Sequence, residues 1–313
     1  MLQNKEKNFI SAVVYVHNDE ASIEGFLTQL RDVLFENFEK FEIICVNDAS
    51  TDQSADVMRK VARTCENCVF TILKMSYCQG LELCMNAGVD LAIGDFVLEF
   101  DHNFVDYEKQ TILDVYYRAL QGFDIVAASN QRQRLASRMF YGLFNKNAGT
   151  QYKVGSETFR ILSRRAINRV RSMSKTIPYR KALYANCGLK ADTLRYEAIL
   201  KSAGGGSRER FSARRDTAFN SLILFTDVAY KFSVFMTAAM MLATLGVAVY
   251  TLVVFATGQP VEGFTTTMLV LTGSFFGVFL ILAIIIKYLS VLVDLVFKRQ
   301  KYMIEEIEKI TTQ

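Results

Sequence analysis

The sequence lacks a second cysteine pair that could complete a metal-binding motif. Cys65 and Cys68 have the C-x-x-C spacing of some zinc and redox sites, but no other cysteine pair stands at a metal-ligand distance from them. The sequence therefore favours reduced thiols, as is usual in the cytosol, over a zinc site or a disulfide framework. The remaining cysteines are Cys45, Cys78, Cys84 and Cys187.

The sequence also has little net charge, with a formal value of +4. Its basic residues gather near two long apolar segments and do not form the stripe that is typical of nucleic-acid-binding proteins. This excludes nucleic acid as the expected partner and favours anionic lipid head groups.

Two long, almost uncharged segments account for an apolar content of 51%. They are Val228–Ala256 and Phe264–Ile286, and each reaches the roughly 20 residues that cross a hydrocarbon core as a helix. The connection 257–263 is short, which would be unusual for two buried helices of a soluble domain. The pattern predicts a transmembrane helical hairpin.

The loop between these segments lacks Lys and Arg and carries only Glu262 as a charged residue. Basic residues flank the hairpin on its outer side, at Lys231, Lys287, Lys298, Arg299 and Lys301. Since Lys and Arg stay on the cytoplasmic side, we expect both termini in the cytoplasm and the hairpin in the inner (plasma) membrane. The polar stretch Met1–Asn8 does not predict a signal peptide.

Apolar strand-like runs alternate with helical patterns before the hairpin, which predicts an α/β fold with a mostly parallel sheet. The predicted strands are Ile10–Val16, Glu42–Asn47, Val69–Met75, Phe96–Phe100, Asp124–Ala128 and Ser156–Leu162. The predicted helices are Ala21–Phe35, Thr51–Thr64, Gly80–Ala92, Glu108–Leu120 and Arg164–Arg171. Ligands of such sheets bind beyond the carboxyl ends of the strands.

Polar side chains cluster at three of these strand ends. The clusters are His17–Glu20 after the first strand, Asn47–Asp52 after the second and Asp101–Asn103 after the fourth. Helix capping is an alternative explanation for the first two, but it does not explain Asp101. We therefore expect the three clusters to converge on one edge of the sheet.

The region between the sheet and the hairpin is basic. Arg132, Arg134 and Arg138 precede an aromatic segment suited to grip phosphate or to lie on a membrane, although a solvated helix face is an equal alternative. A glycine joint at 204–206 leads to an amphipathic segment, 208–224. The predicted domains are 1–203 (catalytic), 204–227 (juxtamembrane helix), 228–297 (hairpin) and 298–313 (cytoplasmic tail).

These motifs resemble the family 2 glycosyltransferases of the GT-A fold, and within them the polyprenyl-phosphate glycosyltransferases. The run 14–20 is similar to the family's V-P-x-Y-N-E-E, 46–52 to V-N-D-G-S-T-D, and 88–103 to the segment ending in D-A-D. Further on, 159–164 looks like F-R-L-x-x-R and 205–208 like G-x-S-K, and two helices after the catalytic domain is this subgroup's layout. A processive polysaccharide synthase would bring a Q-x-x-R-W motif, which a sequence without Trp does not contain.

The resemblance implies inverting transfer of a sugar from a nucleotide-sugar, expected to be UDP-linked, to polyprenyl (undecaprenyl) phosphate for cell-surface polysaccharide. It implies nucleotide binding by Asn18, Glu20, Asp48 and Ser50, and a Mg²⁺ or Mn²⁺ ion at Asp101 and Asn103. It assigns catalytic roles to Asp101 and Glu157, and we expect Arg132, Arg138 and Arg160 to bind the acceptor phosphate. Similar proteins assemble through their membrane helices, so a homo-oligomer is expected.

Several positions depart from the family pattern. Tyr15 stands where Pro is usual, Asn103 where the second Asp of D-x-D is expected, and Gly155 where an Asp is typical, so that Glu157 is the nearest carboxylate. Glu157 either orients the acceptor or sugar, or is an exposed strand residue. These departures leave a second hypothesis, a catalytically silent homologue that binds nucleotide or lipid phosphate and scaffolds a membrane enzyme.

Overall fold

The computed structural model describes residues 5–65, 68–131, 155, 157–173, 180–199 and 302–311, together with isolated helical positions between 236 and 292. The chain forms two compact units. One unit contains Met1–Thr217 and Lys298–Gln313, and the other contains Ala218–Phe297.

The first unit alternates strands and helices much as the sequence predicts. Its strands are β1 (Ile10–Val16), β2 (Phe41–Asn47), β3 (Val69–Met75), β4 (Phe96–Phe100), β5 (Ile125–Asn130), β6 (Glu157–Ser163), β7 (Ala191–Tyr196) and β8 (Ile304–Thr311). Its helices are α1 (Glu20–Asn37), α2 (Ser54–Ala62), α3 (Leu81–Leu91), α4 (Gln110–Leu120), α5 (Arg164–Met173) and α6 (Arg180–Asn186).

The eight strands form one sheet in the order β7-β5-β6-β4-β1-β2-β3-β8. Four neighbouring pairs are parallel, namely β1–β2, β1–β4, β2–β3 and β5–β7. The other three pairs, β4–β6, β5–β6 and β3–β8, are antiparallel. The predicted α/β fold with a mostly parallel sheet is therefore confirmed, and the carboxyl ends of β1, β2 and β4 meet at one edge.

Helices cover both faces of the sheet, as buried parallel strands require. One face packs on α1, α2 and α4 through side chains such as Leu27, Met58 and Val115. The opposite face packs on α3, α5 and α6 through side chains such as Met85 and Ile167. The sheet thus separates two apolar cores.

The segment after the apolar region contains a strand, which corrects its assignment as a separate tail. Strand β8 pairs antiparallel with β3, from Val69 opposite Thr311 to Met75 opposite Ile304. Arg59 of α2 also forms an ion pair with Glu308, at 2.9 Å between Nε and Oε2. The chain therefore returns from the second unit to the sheet of the first.

The predicted spans 228–256 and 264–286 lie outside the described residues except at isolated helical positions. Among the described residues, no helix combines the length and apolar character needed to cross a membrane. The juxtamembrane segment 204–227 also lies outside the described residues.

Replacing Gly94 with Ala is expected to lower the free energy of unfolding by about 1–3 kcal/mol, because backbone atoms leave no room for a methyl group. A Cβ at this position would lie 2.7 Å from the carbonyl oxygen of Phe9 and from the backbone nitrogen of Ser11. Urea denaturation followed by circular dichroism would measure the change. Gly25→Ala in α1 is the control, since its Cβ would meet nothing within 4 Å; equal destabilisation by both variants would contradict the packing argument.

Candidate active site

The loops that follow β1 and β2 interlock at the sheet edge. The backbone N–H of Asn18 donates to Ser50 Oγ at 3.1 Å, and Asn18 Oδ1 accepts from the N–H of Thr51 at 2.8 Å. Glu20 Oε2 accepts from the N–H of Gln53 at 3.0 Å. The structure thus brings together the predicted nucleotide-binding residues Asn18, Glu20 and Ser50. Their hydrogen bonds fix the two loops to each other.

Two residues of these loops hold left-handed backbone conformations. Asn18 has φ of 51° and Ala49 has φ of 49°. Asn tolerates this conformation, whereas for Ala it costs roughly 1–2 kcal/mol. Ala49 occupies the position at which the similar family motif has Gly. The left-handed backbone of the motif is therefore retained, and the Ala49 backbone beside Asp48 is strained.

Asp48 is buried at the carboxyl end of β2 and organises the approach to α3. Its Oδ1 accepts from the N–H of Gln79 at 2.6 Å, and its Oδ2 accepts from the N–H of Gly80 and the hydroxyl of Tyr15, both at 2.9 Å. Burial, with Asp48 adding to it, raises the pKa of the Tyr15 hydroxyl, which therefore stays a hydrogen-bond donor. Tyr15, where the family pattern has Pro, is thus part of the Asp48 site.

A second group of possible ligands surrounds Asp48. His17 Nδ1 donates to the backbone carbonyl of Asp48 at 2.6 Å, and Cys78 Sγ lies 3.5 Å from Asp48 Oδ2. One ligand atom from each of His17, Asp48 and Cys78 falls within 4.8 Å of the others, the one such group found among the described residues. Imidazole and thiolate suit Zn²⁺, whereas Mg²⁺ prefers oxygen ligands.

Asp101 lies at the end of β4 within a buried network of opposite charges. Glu99 and Asp101 share one face of β4, and Arg160 lies opposite Glu99 on β6. Arg160 Nη1 donates to Glu99 Oε2 at 3.0 Å, and its Nη2 donates to Asp101 Oδ2 at 2.7 Å. With a side chain 1% exposed, Arg160 presents no free guanidinium to an acceptor phosphate, the role that the sequence predicts for it.

Arg180 is a site residue that the sequence analysis missed. Its Nη2 donates to Asp101 Oδ1 at 2.7 Å, and its Nε donates to Glu82 Oε2 at 3.0 Å. Its Nη1 also lies 2.8 Å from Glu99 Oε1, which accepts from the hydroxyl of Tyr184. Arg180 begins α6, a helix of 7 residues that is too short for a periodic apolar pattern to predict it.

The charge state of Asp101 follows from this network. Burial alone would raise the pKa of the Asp101 carboxyl, but the charges of Arg160, Arg180 and Lys181 outweigh burial and hold that pKa well below its usual range. Asp101 is therefore ionised at any pH at which the protein works.

The other predicted residues are placed differently. The Glu157 side chain is 5% exposed, with Oε2 3.2 Å from Arg160 Nε, so it is not an exposed strand residue. Asn103 is buried and lines a cleft of about 650 Å³ against α1, and its Nδ2 has no hydrogen-bond partner among the residues that the structure describes. Arg132 and Arg138 lie outside the described residues.

As placed, Asp101 and Asn103 do not fit a Mg²⁺ or Mn²⁺ site. Each oxygen of Asp101 already accepts from a guanidinium, and the neutral Asn103 lines a different surface from those arginines. A cation at Asp101 would have to displace Arg160 or Arg180 from this carboxylate.

The two strand-end acids are joined through the start of α3. Asp48 fixes the N–H groups of Gln79 and Gly80, and Glu82, two residues on, binds Arg180. Arg180 in turn binds Asp101. The convergence that the sequence predicts is thus present as a continuous chain of contacts along one edge of the sheet.

Comparison with known families shows that the model for "Glycosyl transferase family 2" matches residues 11–171. The chain belongs to glycosyl transferase family 2. This glycosyltransferase is 23% identical over 307 residues to the uncharacterized glycosyltransferase sll0501 of Synechocystis sp., a match that covers 95% of each protein. It is 26% identical over 206 residues to a prophage bactoprenol glucosyl transferase homolog of Escherichia coli K12, covering 62% of this chain and 65% of that protein.

A solved structure supports the fold of the glycosyltransferase. The mannosyltransferase PcManGT from Pyrobaculum calidifontis, in complex with GDP-Man and Mn²⁺, superposes with a TM-score of 0.52 at 17% identity. The match covers 94% of this chain and 89% of that one. The likeness confirms the α/β GT-A fold, and with the family match it confirms that the chain is a glycosyltransferase.

Proposed function

We propose that this enzyme transfers a sugar, with inversion, from a UDP-sugar to polyprenyl phosphate at the cytoplasmic face of the membrane. The observation that carries the proposal is the joined edge of the sheet, where the loops after β1 and β2 interlock beside Asp48, and Glu82 of α3 and Arg180 link that site to Asp101. In a doubly wound sheet, this edge is where a nucleotide binds.

The acceptor class is supported by the relative that is named a bactoprenol glucosyl transferase homolog. A lipid phosphate is already anionic at neutral pH, so the nucleophile needs positioning more than deprotonation. Its oxygen forms a bond to the anomeric carbon as the bond from that carbon to the nucleoside diphosphate breaks, and UDP leaves. We assign acceptor binding to Arg132 and Arg138, since Arg160 is already paired with three carboxylates.

The membrane location is supported by the path of the chain. In the order of the chain, the apolar unit 218–297 is both preceded and followed by residues of the first unit, because Lys298–Gln313 belongs to the first unit. If this region crosses a bilayer, it must do so an even number of times. The two predicted spans meet that condition, and the lack of Lys and Arg between them favours a cytoplasmic catalytic domain.

A divalent cation at Asp101 and Asn103, which the family resemblance implies, has no part in this proposal because those residues do not fit one as placed. The chemistry above therefore rests on the charges that the chain itself supplies.

The proposal predicts that the full chain in detergent releases nucleoside diphosphate from a sugar nucleotide at least about tenfold faster with undecaprenyl phosphate than without it. Undecaprenol, which has the same chain and no phosphate, is the matched control and should give no stimulation. A panel of UDP-, GDP- and TDP-sugars would identify the donor. Equal release with both lipids, or no release from any donor, would contradict the proposal.

A further inference from the structure

Each oxygen of the Asp101 carboxylate already has a cationic partner. Arg160 Nη2 and Arg180 Nη2 each donate to one of the two oxygens at 2.7 Å. Both arginine side chains are 1% exposed and that of Asp101 is 10% exposed, so solvent screens these charges weakly. A divalent cation on this carboxylate would have to displace a guanidinium group from one of its oxygens.

The arginines cannot turn away from Asp101 without breaking further contacts. Arg180 is also held by Glu82, which accepts from both its Nε and its backbone N–H. The Glu99 carboxylate, fully buried, binds Arg160 and lies 2.8 Å from Arg180. If Arg160 or Arg180 moved away from Asp101, the buried Glu99 would lose one of its charged partners.

The acids in the loop after Asp101 are not placed to share a cation with it. The second position of the D-x-D-like run is Asn103, which lines the cleft beside α1 together with the exposed Glu108. The other acid, Asp106, accepts from the hydroxyl of Tyr196 at 2.6 Å and from Asn130 at 3.1 Å. Mg²⁺ and Mn²⁺ sites need several oxygen ligands around one point, and Asp101 does not line the cleft that Asn103 and Glu108 share.

We propose that Asp101 is a positioning residue held by Arg160 and Arg180, and that nucleoside diphosphate binding to this enzyme is independent of divalent cations. The inference rests on the proposed function. Asp101 acts through Arg180, which holds Glu82 at the start of α3, next to the Gln79 and Gly80 amides that Asp48 binds. The two guanidinium groups are neutralised by Glu82, Glu99, Asp101 and Glu157, and they tie the end of β4 to β6, α3 and α6.

Calorimetric titration of the full chain with UDP, in EDTA and in excess Mn²⁺, tests the first part. The expected dissociation constants agree within about twofold. Tightening by Mn²⁺ of about tenfold or more would overturn the proposal while leaving the proposed function intact. Absence of UDP, GDP and TDP binding under both conditions would instead count against the proposed function itself.

The second part is tested in EDTA, where no cation can contribute. Asp101→Asn is expected to weaken UDP binding about fivefold or more, and Asp101→Glu to restore part of it. Asp192→Asn, which removes the charge of a more exposed pair with Arg118, is the control and should leave affinity unchanged. Unchanged affinity in Asp101→Asn would overturn the positioning role.

Electron paramagnetic resonance of Mn²⁺ mixed with the wild-type chain, and with Asp101→Asn that circular dichroism shows to be folded, gives a readout besides nucleotide affinity. The expected spectrum either lacks bound Mn²⁺ or shows bound ion that Asp101→Asn leaves in place. Bound Mn²⁺ that this substitution removes would overturn the proposal.

Discussion

Asp48→Ala is expected to weaken binding of the donor nucleotide by about tenfold to a hundredfold, a loss of about 1.4–3 kcal/mol. The Asp48 carboxylate accepts hydrogen bonds from Tyr15, Gln79 and Gly80 at 2.6–2.9 Å and a longer one, at 3.5 Å, from Cys78 Sγ. Without it, the segment that leads into α3 loses its anchor and these part-buried donors lose their partner. Calorimetry with UDP in EDTA would measure the effect.

Asp52→Ala is the matched control for Asp48→Ala, since both acids belong to the loop after β2. Asp52 accepts from the N–H groups of Ser54 and Glu20, so it secures the starts of α2 and α1 and does not bind the segment before α3. The control is expected to cost about 1 kcal/mol of stability with little change in nucleotide affinity. Equal loss of affinity in the two variants would show that Asp48 has no special role.

Arg160→Met is expected to lower the free energy of unfolding by about 3–5 kcal/mol, the largest effect on stability that we predict. The Arg160 guanidinium contacts Glu99, Asp101 and Glu157, whose side chains are 0%, 10% and 5% exposed. Removing it leaves negative charges in a poorly solvated interior. Urea denaturation monitored by circular dichroism would give the change.

Arg118→Met provides the comparison for Arg160→Met. Arg118 pairs with Asp192 at 2.6 Å, but its side chain is 40% exposed and solvent screens the pair. Loss of such a pair is expected to cost at most about 1 kcal/mol. A similar small cost for Arg160→Met would mean that the buried network is not what holds β4, β6 and α6 together.

Local patterns in the sequence were enough to predict the centre of the sheet. The predicted bounds of β1, β3 and β4 match those in the structure, because each is a short apolar run between polar turns. The predicted sheet lacked β7 and β8. Strand β8 pairs with β3 across more than two hundred residues of chain, and its isoleucines at 304, 307 and 310 do not alternate as in a half-buried strand.

The site was predicted in part. The strand-end rule correctly brought Asn18, Ser50 and Glu20 together, because loops that follow parallel strands must meet. Arg180 could not be found this way, since it reaches Asp101 from the second helix after β6 and not from a loop at a strand end. Glu99 was read as part of an apolar run, although a buried Glu requires a charged partner and could have indicated one.

For Asp101, the family motif and the contacts in the structure indicate different roles. A motif assigns this carboxylate to a metal ion, whereas its contacts assign it to two arginines. What the sequence does carry is the change of the second acid to Asn103, which removes a charge that a cation site needs.

Mass spectrometry of the lipid product tests the central claim most directly. After incubation of the full chain with undecaprenyl phosphate and its donor sugar nucleotide in EDTA, the account predicts a lipid that has gained one sugar and retains a single phosphate. A lipid that carries two phosphates, or free sugar with unchanged lipid, would contradict it.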